Sequence, residues 1–194
     1  MTYAAKLCGE KGLSGIEFCY GIPGNIGGGI FMNAGAYGGE ISQNIVYVKY
    51  LDENGDLQTI YKADCNFSYR HSCFMEKKRF ILGAEFELIP KPKDEIISFM
   101  EDIMKRRIEK QPLDKPSAGS SFKRPEGYFA AALIDECGLK GKSVGGASVS
   151  EKHAGFIVNN GGATCRDIVR LADLVSDTVY KEKGVRIEKE MIIV

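Results

Sequence analysis

The chain carries no excess of charge of either sign: Lys plus Arg and Asp plus Glu stand at 26 each over 194 residues. Without a net field it has no global attraction for nucleic acid or an anionic membrane, so any anionic ligand must be held by local basic residues. No apolar run approaches the length of a membrane span. The six cysteines (Cys8, Cys19, Cys65, Cys73, Cys137 and Cys165) form no C-x-x-C pair, which argues against a zinc ribbon or a thioredoxin-type motif. A chain this long does not need disulfide staples, and no signal-peptide pattern opens it. Reduced, mostly buried cysteines in a cytoplasmic protein are therefore expected. His71 and His153 stand in neither a Ser-His-Asp pattern nor a metal-ligand spacing, and no metal site is expected. Internal repeats, heptad runs and low-complexity tails are missing as well.

What is present is glycine, 23 residues of it, without the strict period of collagen. The cluster Gly21-Ile22-Pro23-Gly24-Asn25-Ile26-Gly27-Gly28-Gly29, followed by Asn33-Ala34-Gly35-Ala36-Tyr37-Gly38-Gly39, marks backbone that must turn sharply or press against a flat ligand. Residues 1–44 alternate such turns with short apolar runs, which suits a loop-rich sheet. Val46, Val48 and Tyr50 alternate with polar neighbours, and Asp52-Glu53-Asn54-Gly55-Asp56 turns the chain into Leu57–Tyr61, a hairpin signal. Arg79–Ile89 is a further strand candidate.

Lys91-Pro92-Lys93 breaks the pattern. Beyond it Ile96, Ile97, Met100, Ile103, Met104 and Ile108 recur at helical spacing over Asp94–Lys110, with acidic residues first and basic residues last, as the helix dipole favours. Phe129–Cys137 reads as a helix stopped by Gly138. Thr164-Cys165-Arg166-Asp167 resembles a capping box that opens a helix running to about Lys183, with Gly184 as its stop. Ser143–Ser150, His153–Asn159 and Val185–Val194 read as strands.

Neither common nucleotide motif is satisfied. Gly27-Gly28-Gly29 lacks the third glycine of a dinucleotide fingerprint, and Gly141-Lys142-Ser143 has Glu136 where a phosphate loop demands glycine. Three other segments offer chemistry. Tyr69-Arg70-His71-Ser72 carries a planar cation suited to a carboxylate. Ser117-Ala118-Gly119-Ser120-Ser121-Phe122-Lys123-Arg124-Pro125 sets small hydroxyls beside a Lys-Arg pair, and Ile187-Glu188-Lys189-Glu190-Met191 offers carboxylates.

Together these segments resemble the bacterial UDP-N-acetylenolpyruvoylglucosamine reductase (MurB) family from about Gly12 to the C-terminus. Ala118–Pro125 is similar to its AGS-x-F-K-x-P signature and is the most specific match; Tyr69–Ser72 is similar to Y-R-x-S, and Ile187–Met191 to L-E-x-E-V. The resemblance implies an α+β fold in which residues 1–92 are the C-terminal part of a non-Rossmann (PCMH-type) FAD-binding domain. Residues 93–194 would be a mixed α/β substrate-binding domain ending in a catalytic strand. It implies too that the family's N-terminal subdomain, whose Gly-Ser-Asn-bearing loop holds the FAD pyrophosphate, is absent. The short spacing from Arg70 to Lys110 resembles the shorter subgroup, without the extra tyrosine-bearing loop.

By the same resemblance Arg70, Ser120 and Glu190 are catalytic, with Ser120 as proton donor and Ser121 at a variable position. Gly21, Ile22, Pro23, Gly24, Gly27, Gly28, Asn33, Ala34, Gly35 and Ala36 would contact FAD, and Tyr37, Lys110 and Arg124 the substrate. Ile192 stands where the family often has a basic residue. The implied reaction is the NADPH-driven, FAD-dependent reduction of UDP-N-acetylglucosamine enolpyruvate to UDP-N-acetylmuramate in peptidoglycan precursor synthesis. A cytoplasmic monomer with no nucleic-acid or membrane partner is expected. The competing reading is a catalytically inactive fragment that retains UDP-sugar binding. A flavoprotein with another substrate is disfavoured by the AGS-x-F-K signature.

Overall fold

The fold, obtained as a computed structural model, describes residues 1–193. Val194, the end of the expected last strand, lies outside the described residues. The chain divides into two compact units, Met1–Arg106 and Arg107–Val194.

The first unit opens with helix α1 (Thr2–Glu10) and the short strand β1 (Leu13–Ser14). Helix α2 (Ile26–Phe31) follows, then a two-stranded hairpin of β2 (Gly35–Ala36) and β3 (Gly39–Glu40), and helix α3 (Ile41–Asn44). Residues 1–44 are thus built from three helices and two short pairings, not from the loop-rich sheet their glycines suggested. The glycines read as sheet turns include three consecutive helical residues, Gly27, Gly28 and Gly29.

Strands β4 (Ile45–Leu51), β5 (Leu57–Tyr61) and β6 (Phe80–Phe86) form an antiparallel sheet in the order β5-β4-β6. The Asp52–Asp56 connection closes as expected. The Asp52 carboxylate accepts the backbone N–H groups of Asn54 and Asp56, which hold its pKa below the usual carboxylate range, and Gly55 takes φ 88°. Strand β7 (Ile89–Pro90) returns to pair with β1. Val48, Tyr50, Phe74, Ile30 and Ile41 form the core with Ile96 and Met100 of helix α4 (Lys93–Lys110). That spacing of one turn is why the helical period was legible.

In the second unit β8 (Ser117–Ser120) leads to helix α5 (Ala130–Glu136), then β9 (Ser143–Val144), β10 (Ala147–Val149) and β11 (Phe156–Asn159). The sheet order is β8-β11-β10-β9, all antiparallel. The expected single strand Ser143–Ser150 is a hairpin instead. Gly145 takes φ 54°, and a Cβ on Gly146 would meet the backbone of Gly161 and Ala163. Helix α6 (Cys165–Lys183) has the reciprocal Thr164–Asp167 capping box at its start and Gly184, at φ 69°, at its end. Ala147, Val149 and Ile157 pack against Leu133, Ile134, Leu171 and Val175 of the two helices. By the two-residue alternation of strands, Ser148, Phe156 and Val158 face the other way, and Ser120 lies opposite Phe156. The expected strand after Val185 is reduced to a bridge between Phe122 and Lys189.

Candidate active site

In the first unit the glycine-rich segment and the arginine turn are bonded to each other. Tyr69 and Arg70 form a two-residue reversal closed by Ser68 N–H to His71 O (3.2 Å) and His71 N–H to Ser68 O (3.1 Å). Arg70 sits at φ 55°, a left-handed corner that ordinarily takes glycine or asparagine. For an arginine this conformation costs about 1–2 kcal/mol. Its Nη2 donates to Gly35 O at 3.2 Å, and its guanidinium lies 5.0 Å from the Tyr69 ring centre. Tyr37, at φ 51°, forms with Gly38 the tip of the β2–β3 hairpin and stands exposed there. With Asn33 at φ 43°, three of the expected functional residues thus occupy left-handed backbone, a feature that clusters at functional sites.

The expected cofactor residues fall into two groups. Gly35 is demanded by the fold, since a Cβ would meet Gly39 O at 2.8 Å. Gly24 is demanded by its backbone, at φ 103°, although a Cβ there meets nothing within 4 Å, whereas Gly27 and Gly28 are not demanded: a Cβ on Gly27 meets only ordinary contacts at 3.5 Å or more. On Gly28 the nearest atom, at 3.3 Å, belongs to the exposed N-cap Asn25, whose Oδ1 accepts the Gly28 N–H. Glycine in a helix costs about 1 kcal/mol relative to alanine. Bare backbone at Gly27 and Gly28, unneeded by the protein itself, fits a flat ligand pressed against it. Gly21 and Ile22 are pinned by Thr2, whose hydroxyl accepts Gly21 N–H (3.1 Å) and donates to Ile22 O (3.3 Å). Pro23 is exposed beside them, and Ala34 and Ala36 are half-buried. Asn33 is fully buried, with both ends of its amide bonded inside the protein.

One prediction follows from this packing. Gly27→Ala should raise the stability of the chain by up to about 1 kcal/mol, read from the denaturant midpoint. The same change should weaken flavin binding in a chain completed to full family length. A lowered midpoint would mean that the fold, not a ligand, requires this glycine.

In the second unit the serine strand and the acidic segment run side by side. Glu190 N–H donates to Ser121 O (2.9 Å) and Lys123 N–H to Glu188 O (2.8 Å), while Lys123 Nζ lies 3.1 Å from the Glu188 carboxylate. This brings the Glu190 backbone to within one residue of Ser120. Ser120 is exposed and its hydroxyl donates to Phe122 O at 3.2 Å. Ser121 is its opposite, fully buried, with Oγ accepting Ile157 N–H at 3.0 Å. Lys110 is the exposed last residue of α4. Arg124 is held by Tyr128 O (3.3 Å) and lies 4.0 Å over the Phe129 ring.

On the sheet face away from α5 and α6, Ser148, Ser150 and Val158 line a cavity of about 580 Å³ with Pro112 and Ile108. Its lysines are engaged by the protein. Lys152 donates to Ile108 O at the end of α4, and Lys115 to Asn160 Oδ1. Among the described residues no cluster of three His, Cys, Asp or Glu could hold a metal, and no helix is long and apolar enough to cross a membrane. No disulfide joins the six cysteines; burial, reinforced by neighbouring Cys73, pushes the Cys65 thiol up to about 12.

His153, edge-on to Phe156 at 4.9 Å, has its pKa lowered by burial and then by the charge of Lys140. Its Nδ1 accepts Gly155 N–H, which needs the neutral ring. The folded protein therefore takes up this proton less readily than the unfolded chain. The associated stability is complete above the unfolded value of about 6.5 and is lost as pH falls through it toward the lower folded value. Thermal midpoints should drop between about pH 7 and pH 5, and drop less in His153→Gln. An equally steep profile in the variant would remove His153 as the source.

Sequence reasoning missed Thr2, Ser72 and Ser121 as residues that hold this geometry. Only Ser72 and Ser121 stood within recognisable motifs.

The first unit thus sets bare glycine backbone beside an arginine, and the second sets a serine strand beside a glutamate, within a mixed α/β protein. Residues 111–194 match the model of the UDP-N-acetylenolpyruvoylglucosamine reductase C-terminal domain. The UDP-N-acetylenolpyruvoylglucosamine reductase of Agathobacter rectalis is 52% identical over 191 residues, covering 98% of this chain and 61% of the relative. That of Clostridium beijerinckii is 47% identical, covering 97% and 62%. The crystal structure of the Thermus caldophilus enzyme superposes with a TM-score of 0.87 at 34% identity, covering 98% of this chain and 68% of that one. The chain belongs to the UDP-N-acetylenolpyruvoylglucosamine reductase family, and spans about three fifths of the length of the curated relatives it matches.

Proposed function

We propose that this chain forms the substrate-reducing part of a cytoplasmic UDP-N-acetylmuramate dehydrogenase, which reduces the enolpyruvyl ether of UDP-N-acetylglucosamine during peptidoglycan precursor synthesis. The reading is supported above all by Arg70, kept in a left-handed turn that a glycine would occupy without strain. FAD, recharged by NADPH, would supply the hydride. Gly21–Gly28 and Ala34–Ala36 would offer it backbone of the non-Rossmann FAD-binding type. Arg70 would face the substrate carboxylate and stabilise the negative charge that develops on it and on the adjacent carbon. Ser120 would give its hydroxyl proton to that carbon, and Glu190 would hold the geometry around it. Tyr37, Lys110 and Arg124 would anchor the nucleotide sugar, the cations meeting its diphosphate.

A second reading, for this chain by itself, is supported by the exposed Lys110 and by Arg124: it would bind UDP-sugar through the second unit without turnover. The test joins the chain to the part of the Agathobacter rectalis reductase that lies outside the match. The completed protein should retain flavin and consume NADPH only when the enolpyruvyl substrate is added. This chain alone should be colourless, yet bind UDP-N-acetylglucosamine in calorimetry. A completed protein that holds flavin but ignores the substrate would overturn the first reading.

A further inference from the structure

Three side-chain hydrogen bonds tie residues 31–35 to residues 68–72. Ser72 Oγ donates to Phe31 O at 2.7 Å, Asn33 Nδ2 to Ser68 O at 3.0 Å, and Arg70 Nη2 to Gly35 O at 3.2 Å. The middle bond differs from its neighbours. Ser68 O is also the acceptor of His71 N–H, the bond that closes the Tyr69–Arg70 reversal. Asn33 therefore grips the hinge atom of the turn that presents Arg70.

Asn33 is in turn held from behind. It is fully buried, its Oδ1 accepts Ser42 N–H at 3.0 Å, and its backbone takes φ 43°. One end of the amide accepts and the other donates, so reversing it would set donor against donor and acceptor against acceptor. No carboxylate can replace it, because a carboxylate oxygen would confront the Ser68 carbonyl. Left-handed backbone is also tolerated by asparagine better than by most residues.

We propose that Asn33 is a positioning residue for Arg70: its amide fixes the Ser68–His71 turn and thereby aims the guanidinium. The inference rests on the reading of Arg70 as the group that meets the substrate carboxylate. It also gives Asn33 a purpose other than direct contact with a cofactor, and assigns the serine of the Y-R-x-S motif, Ser72, to the same clasp.

The test uses this chain and the arginine-selective reagent phenylglyoxal, with the labelling rate of each arginine followed by peptide mass mapping. Asn33→Asp keeps the size and the bond from Ser42 but loses the donor to Ser68. Asn33→Gly keeps the left-handed backbone and loses both bonds. Ile96→Val is the control, a buried core residue of helix α4 in the same unit. Labelling of Arg70 should quicken about tenfold in both Asn33 variants, as the loss of one buried hydrogen bond allows, while other arginines keep their rates. The control should lower the thermal midpoint and leave Arg70 unchanged. If Asn33→Asp does not fold, Asn33→Gly gives the same reading without the added charge.

An unchanged Arg70 rate, or a rise shared by all arginines or by the control, overturns the proposal. The two readings fail separately. Full turnover by Arg70→Ala in the completed protein would remove Arg70 from catalysis and leave the hold of Asn33 on it intact. Unaltered labelling in the Asn33 variants would remove the hold and leave the role of Arg70 untouched.

Discussion

Ser120→Ala, in a chain completed to the length of its relatives, is expected to slow reduction of the enolpyruvyl substrate by about 10²–10⁴-fold, the usual contribution of a positioned general acid. The rate at which NADPH reduces the bound flavin in a single turnover should stay nearly unchanged, because that half-reaction needs no proton on the substrate carbon. The neighbouring serine gives the contrast. Ser121 is buried and its Oγ accepts Ile157 N–H, so Ser121→Ala leaves a backbone donor unpaired between β8 and β11. That should lower stability by about 1–3 kcal/mol and leave turnover of the folded protein near wild type. Ser120, exposed with its hydroxyl on a backbone carbonyl, should show the reverse pattern. Stopped-flow separation of the half-reactions, paired with thermal melts, checks both. A larger kinetic defect at Ser121 than at Ser120 would move the proton donor.

Arg70→Gly should separate stability from activity in the opposite sense. Glycine relieves the left-handed strain, about 1–2 kcal/mol, which offsets the lost bond to Gly35 O and the contact with Tyr69. The thermal midpoint is therefore expected to stay level or rise. On the proposed function, turnover of the completed protein should fall at least about 10²-fold, since the charge that would meet the developing anion is gone. Arg70→Ala keeps the strain and loses the contacts, so it should be both inactive and less stable than glycine. Arg70→Lys keeps a charge but not the planar fork, and should fall between arginine and glycine in turnover. Retained activity in Arg70→Gly would show that the strained corner serves the turn alone.

The parts of this molecule that were legible in advance are those whose causes are local. Helix α4 announced itself because Ile96, Met100 and Ile103 repeat at the helical period. Thr164 and Asp167 cap α6 within four residues of each other, and Asn54-Gly55 turns β4 into β5 with bonds confined to Asp52–Gln58. The parts misread are those whose causes are distant. Gly27–Gly29 looked like turn residues and proved helical, because α2 is held by Asn25 and by packing of Ile30 into the core, against its own propensity. Ser143–Ser150 looked like one strand, but the close approach of Gly161 and Ala163 to Gly146 folds it into two. The segment after Val185 keeps its inward Ile187 yet makes only a bridge with Phe122.

The same division runs through the candidate site. The sequence by itself determined which residues are the candidates for chemistry, because Arg70, Ser120 and Glu190 stand in short motifs whose residue types announce charge, proton and carboxylate. It also determined the family, since those motifs are contiguous. Only the tertiary structure decided what each neighbour is for. It separated an exposed Ser120 from a buried Ser121 and glycines the fold requires from glycines it does not, and it bonded the Asn33 amide to the arginine turn. The physical reason is that burial, left-handed backbone and hydrogen bonds spanning 35 or 36 residues are properties of a closed chain, set by partners that no local pattern contains.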